Sequence, residues 1–175
     1  MAKVFRYRLK PTKAQVTKLN EQLELCRWVY NETLAMRKNA FEQESKSVGY
    51  FESKRMLPIW KESKPELKSV HSQVLQDVVL RVNLEFRAFF RRVQSGEDPG
   101  YPHFKGKNRY DSLSYPQSGF SIDGDTLWLS KIGDITFKLH RPIGGLVKRL
   151  TIRRSATNKW YVSFLVEESI DHPLT

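Results

Sequence analysis

From Lys3 to Leu9 the residue type alternates. Phe5, Tyr7 and Leu9 fall on one side, and Val4, Arg6 and Arg8 on the other. This predicts a strand with one apolar and one largely cationic face, ended by Pro11. Thr12 and Gln15 then have the spacing of a capping box, a hydroxyl followed three residues later by an amide. Val16, Leu19, Leu23, Cys26, Tyr30 and Leu34 repeat at three- and four-residue steps, and no Gly or Pro intervenes before Gly49. The spacing predicts a long amphipathic helix over Lys13 to Glu44. Phe51 to Leu57 reads as a short helix stopped before Pro58. Lys61 to Lys68 reads as a charged connection. Val70 to Gln94 reads as a second long helix, capped by Ser69 or Ser72. Its core arc is Val74, Val78, Val82, Phe86, Phe89 and Val93. Gln73, Gln76, Asn83, Arg87 and Arg91 share the opposite arc.

The period changes after the turn Gly96-Glu-Asp-Pro-Gly100. Asp123-Gly124 signals a turn between Ile122 and Leu127. Thr126 to Leu129, Asp134 to Leu139, Val147 to Arg154 and Trp160 to Glu167 read as strands. Short strands at this spacing predict a small antiparallel barrel. The first strand cannot stand alone, so it joins the later ones across the helices. The expected fold class is therefore α+β, a small antiparallel oligonucleotide-binding-like β-barrel with a helical lobe inserted after its first strand. The expected domains are 1–10 with 96–175 for the barrel, and 11–95 for the lobe.

Charge changes the picture from fold to partner. The 175 residues hold 30 Lys and Arg against 19 Asp and Glu, net +11, with a pI near 9.8. Such an excess suits a polyanion, either nucleic acid or an anionic membrane surface. No apolar run reaches the roughly eighteen residues a bilayer requires, and the N-terminus lacks the apolar core of a signal peptide. The expectation is a cytoplasmic, nucleoid-associated protein that binds nucleic acid and no membrane. Cys26 is the sole cysteine, which excludes an internal disulfide or a cysteine-rich zinc site. It sits among Leu23, Leu25 and Val29 and reads as a small buried hydrophobe.

The stretch Gly100-Tyr-Pro-His-Phe-Lys-Gly-Lys-Asn-Arg-Tyr-Asp-Ser-Leu-Ser-Tyr115 interleaves rings with Lys105, Lys107 and Arg109. Its aromatics follow neither helical nor strand spacing. Cations can meet phosphates while rings such as Tyr101 and Phe104 stack on bases. The alternative is a Pro/Gly loop whose rings plug a nearby core. The polar arc of the second long helix is equally double. Amides at a helix start can read adenine edges, or the arc is an ordinary solvated face. Arg27, Trp28 and Asn31 could bind nucleic acid, but they better fit helix packing with solvated polar residues.

In order along the chain, several segments resemble the N-terminal part of the TnpB/OrfB family. They are Tyr7-Arg-Leu-Lys-Pro-Thr-Lys-Ala-Gln15, Cys26-Arg-Trp-Val-Tyr-Asn31, Ser72-Gln-Val-Leu-Gln76, Phe89-Phe-Arg-Arg92, Gly100-Tyr-Pro-His-Phe-Lys105, Ser112-Leu-Ser-Tyr-Pro-Gln117, Lys131-Ile-Gly133, His140-Arg-Pro-Ile143 and Lys159-Trp-Tyr-Val-Ser163. Each is weak alone, and the ordered set is specific. The resemblance implies a transposon-encoded, RNA-guided DNA endonuclease whose wedge barrel and recognition lobe bind guide RNA, the guide–target heteroduplex and a short target-adjacent motif on double-stranded DNA. Family nuclease activity resides in a RuvC-like domain that follows this region. Two-metal hydrolysis needs clustered carboxylates, and Asp123, Asp125 and Asp134 sit in turns or at strand ends. The chain alone is therefore expected to have no nuclease activity and no cofactor, with Mg²⁺ and a RuvC-bearing remainder belonging to the whole nuclease. Arg6, Arg8, Lys105, Lys107, Arg109, Arg149 and Arg153 are the expected phosphate contacts. By position in the resemblance, Tyr50, Ser72, Gln73, Gln76 and Gln117 are the expected base readers. The alternative is a stand-alone DNA-binding regulator or transposase accessory protein of helix-turn-helix type.

Overall fold

The computed structural model describes residues 2–167. Its strands are β1 (Ala2–Lys10), β2 (Ser112–Tyr115), β3 (Phe120–Asp123), β4 (Thr126–Leu129), β5 (Gly133–Phe137), β6 (Leu146–Arg154) and β7 (Trp160–Glu167). Its α-helices are α1 (Lys13–Glu44), α2 (Tyr50–Lys54), α3 (Met56–Ser63) and α4 (Ser72–Gln94), with a 3-10 turn at Pro65–Ser69. The fold class is α+β. The chain forms two compact units, Met1–Leu19 with Asp111–Thr175, and Asn20–Tyr110. Residues 96–110 thus cluster with the helices rather than with the strands. No helix among the described residues is long and apolar enough to cross a membrane.

In the first unit the seven strands form one antiparallel sheet in the order β2-β6-β7-β1-β5-β4-β3. The N-terminal strand lies in the middle. Ala2 to Leu9 pairs with Glu167 to Trp160 on one side, and Leu9 and Lys10 pair with Phe137 and Thr136 on the other. Alternation sets its two faces: Phe5, Tyr7 and Leu9 are buried, while Val4, Arg6 and Arg8 are exposed. The Tyr7 ring packs against Phe137 and Phe164, with centroids 5.3 and 5.7 Å away.

Closure into a barrel is not observed. β2 and β3 are edges, and no pairing joins them among the described residues. Each has four residues, and Pro116, which lacks an N–H, directly follows β2 and ends its ladder. Gly145, just before β6, makes a tight approach. Its φ is +131°, and a Cβ there would lie 2.5 Å from the Glu167 carbonyl oxygen.

α1 begins as its capping box dictates. Gln15 N–H donates to Thr12 Oγ1 at 3.2 Å, and Thr12 N–H donates to Gln15 Oε1 at 2.9 Å. In the second unit the apolar stripes of α1 and α4 are buried, from Leu23 to Leu34 and from Val74 to Phe89. Val93 departs from the reading. Spacing puts it on the core arc, yet it lies in the last turn and is 46 % exposed, because periodicity gives direction and not the reach of the facing surface. Pro58 does not stop a helix. It is the third residue of α3, within the first turn, where N–H groups have no intrahelical partner anyway. Neither Ser69 nor Ser72 caps α4. The cap residue is His71, without a side-chain cap, while Ser69 Oγ donates to the Glu66 carbonyl and Ser72 Oγ accepts from Lys61 Nζ at 3.3 Å.

Candidate nucleic-acid interface

The outward face of β1, β7 and β6 gathers four of the expected phosphate contacts in the first unit. Strand register sets Arg8, Tyr161 and Arg153 in one row. Arg6, Ser163, Thr151 and Ser114 form the next row. Arg149 lies opposite Leu165, one row further. The Arg6 guanidinium carbon is 4.0 Å from the Tyr161 ring centroid and that of Arg8 is 5.7 Å away. Arg153 Nη1 lies 3.8 Å from Asp111 Oδ1, a half-exposed pair of small energetic weight. Ser114 and Thr151 hydroxyls are 3.1 Å apart. Ser114 is buried, so the face open to a ligand is the cations around the ring with the half-buried Ser163 and Thr151 beside them, a surface suited to phosphate and sugar oxygens. Sequence reading missed Tyr161. Its alternation with Trp160 and Val162 was visible, but its neighbours across the sheet were not.

Lys105, Lys107 and Arg109 lie exposed on the loop of the second unit. The loop is fastened to α1. Lys105 N–H donates to Asn31 Oδ1 at 2.9 Å, and Asn31 Nδ2 donates back to the Lys105 carbonyl at 3.0 Å. Arg27 Nη1 donates to the same carbonyl at 3.2 Å. Glu24 pairs with Arg27 Nε at 2.9 Å and accepts from Asn108 N–H at 3.3 Å. Asn108 takes the left-handed φ of +63° that Asn tolerates. Glu24, Arg27 and Asn31 are thus loop holders, a role that helical spacing alone does not reveal.

The rings of this segment divide between core and solvent. Tyr110 and Tyr115 are buried, so for them the core-plugging reading holds. The Tyr110 phenol is pushed strongly upward, first by burial. Tyr101 stacks on Phe89, centroids 4.7 Å apart and planes 22° apart, with Lys38 Nζ 5.2 Å from its centroid. Phe104 is 51 % exposed.

Tyr50, Ser72, Gln73 and Gln76 all belong to the helical unit, at the starts of α2 and α4. Gln73 and Gln76 are half-buried and Ser72 is exposed. The Tyr50 phenol is shifted upward, by burial first and by the Asp77 carboxylate second, and α2 packs against α4. Asp77 is buried and bonded to Arg81 Nε at 2.9 Å. Gln117 is exposed in the bend after β2, in the other unit.

The OrfB/IS605 family model, described as a helix-turn-helix domain, matches residues 1–46. These residues form β1 and α1. Two curated proteins are similar along nearly the whole chain. One, provisionally named RNA-guided DNA endonuclease InsQ, from Escherichia coli K12, is 28 % identical over 97 % of this chain and 42 % of its own length. The other, provisionally named RNA-guided DNA endonuclease, from Streptomyces pristinaespiralis, is 29 % identical over 96 % of this chain and 42 % of its own length. The chain therefore spans about two fifths of the length of these relatives. The resemblance to part of a TnpB/OrfB protein, drawn above from ordered motifs, stands on these matches.

Proposed function

We propose that this chain is the nucleic-acid-binding part of a transposon-associated, RNA-guided DNA endonuclease. It binds guide RNA and the guide–target heteroduplex, and it reads a short motif on the adjacent DNA duplex. The observation that carries the reading is the grouping of Arg6, Arg8, Arg149 and Arg153 on one sheet face, with Arg6 and Arg8 converging on the Tyr161 ring. Net charge alone would be served by scattered cations. A one-face grouping suits a polyanion laid across strands. The names of the two relatives support the choice of partners.

Motif reading falls to Gln76, with Tyr50, Ser72, Gln73 and Gln117 as further candidates. A side-chain amide pairs with an adenine edge, and ring and hydroxyl meet other groups such as a thymine methyl. A motif-selection assay tests this. Gln76→Ala should lose about 1–3 kcal/mol at one base position while binding to unrelated duplex stays the same. A uniform loss across all sequences would reassign Gln76 to structure or phosphate holding. The chain's contribution is binding rather than hydrolysis. Specific Mg²⁺-dependent cleavage that vanishes on mutating one of its residues would refute this.

The match to a helix-turn-helix family model favours a second reading, a DNA-binding regulator that works without RNA. Against it, residues 1–46 are one strand and one continuous helix. Tight binding of a single short duplex by RNA-free protein would select this second reading. RNA that co-purifies and maps to the source locus would select the first.

A further inference from the structure

We propose that Tyr161 is a positioning residue that holds Arg6 and Arg8 as a two-guanidinium clamp on one phosphate of a nucleic-acid strand. The inference rests on the reading that this sheet face binds nucleic acid, and it adds a residue and a stoichiometry to it. Arg6 and Arg8 alternate along β1, so both leave the sheet on the same side. Tyr161 is the register partner of Arg8 and is diagonal to Arg6. Both guanidinium carbons converge on its ring, at 4.0 and 5.7 Å from the centroid. Each distance is within the range in which a ring quadrupole attracts a cation.

Convergence of two like charges is unfavourable unless something offsets it. Neither Arg6 nor Arg8 pairs with an acidic side chain among the described residues. The ring supplies part of the offset. A bridging anion supplies the rest, and a phosphodiester offers two charged oxygens to two planar donor forks. Free arginines would have to surrender rotamer freedom on binding. Arginines already laid on a ring surrender less, which is the advantage of preorganisation. Tyr161 has no place in the apolar face, where Trp160 and Val162 on either side of it are buried.

The test uses the full chain and a fluorescein-labelled uridine oligonucleotide, with affinity measured across a salt series. Tyr161→Phe keeps the ring and should bind as wild type. Tyr161→Leu should weaken binding about three- to tenfold, with an unchanged urea midpoint. Added to an Arg6→Ala/Arg8→Ala variant, Tyr161→Leu should cost nothing further. If Tyr161→Leu binds like wild type, or costs the same with and without the two arginines, the clamp is refuted and Tyr161 is a stacking surface or a structural residue. If inorganic phosphate competes as well as the oligonucleotide, the site is a free-anion site and the strand assignment is overturned. If wild-type protein binds no oligonucleotide even at low salt, the underlying nucleic-acid reading fails, a result distinct from the others.

Discussion

Asn31 on α1 meets Lys105 through both of its amide atoms, accepting from the Lys105 N–H and donating to its carbonyl. One side chain thereby treats a loop residue as a neighbouring strand would. The consequence is that a segment broken by Gly100, Pro102 and Gly106 has a defined position for its cations. Asn31→Ala removes both bonds, which at about 0.5–1.5 kcal/mol each loosens the loop by about 1–3 kcal/mol. Trypsin should then cut after Lys105, Lys107 or Arg109 faster than in wild type, with the helices still folded by circular dichroism. Unchanged cleavage would show that Arg27 and Glu24 suffice to hold the loop.

Gly145→Ala should be strongly destabilising. The added Cβ would lie 2.5 Å from the Glu167 carbonyl oxygen and 2.8 Å from Val166 Cγ1, at a φ of +131°. Neither backbone nor β-branched side chain can yield cheaply, and the conformation itself disfavours an L side chain. A loss of about 2 kcal/mol or more is expected, read as a lower urea midpoint at constant slope. An unchanged midpoint would mean that β6 and β7 can separate locally at no cost.

Thr12→Ala breaks the reciprocal cap of α1 and should cost about 1 kcal/mol. Thr12→Ser keeps an acceptor for the Gln15 N–H and should recover most of it. Equal losses in the two variants would assign the effect to the Thr12 methyl rather than to the hydrogen bond at 3.2 Å.

Alkali should destabilise the fold. Burial pushes the Cys26 thiol from about 9 to about 12, and burial followed by the Glu85 charge pushes Tyr30 from about 10 to about 12. Both groups hold their protons more tightly in the folded state. The stability linked to them is complete below the unfolded values and is lost as pH rises toward about 12. The urea midpoint should therefore be flat below pH 9 and fall above it. Cys26→Ala should delay the onset toward pH 10. An onset unmoved by that substitution would remove Cys26 as its source.

Local elements were legible in the chain. α1 occupies Lys13–Glu44, as spacing and the capping box indicate, and Arg6 and Arg8 face outward because β1 alternates. These features depend on residues within a turn or two of each other, where steric preference and the periods of helix and strand act directly. The capping box is the same case, since its two partners are three residues apart.

What needed the tertiary structure were relations between distant positions. A strand's alternation states which residues share a side, but not which strand lies beside it. The row Arg8, Tyr161, Arg153 exists only because β1 enters the sheet beside β7. Likewise the open edges at β2 and β3 follow from which strands found partners. The division of the loop's rings, Tyr110 buried and Phe104 exposed, depends on what surface faces each one. The two long helices, the main strands and the sides from which the charges project were present in the residue pattern, whereas α3 runs through Pro58 and into the stretch from Lys61 that reads as a connection. Tertiary structure alone decided which charges meet, because burial and strand pairing are settled by contacts made across long loops, whose closure cost grows slowly with length and leaves no local pattern.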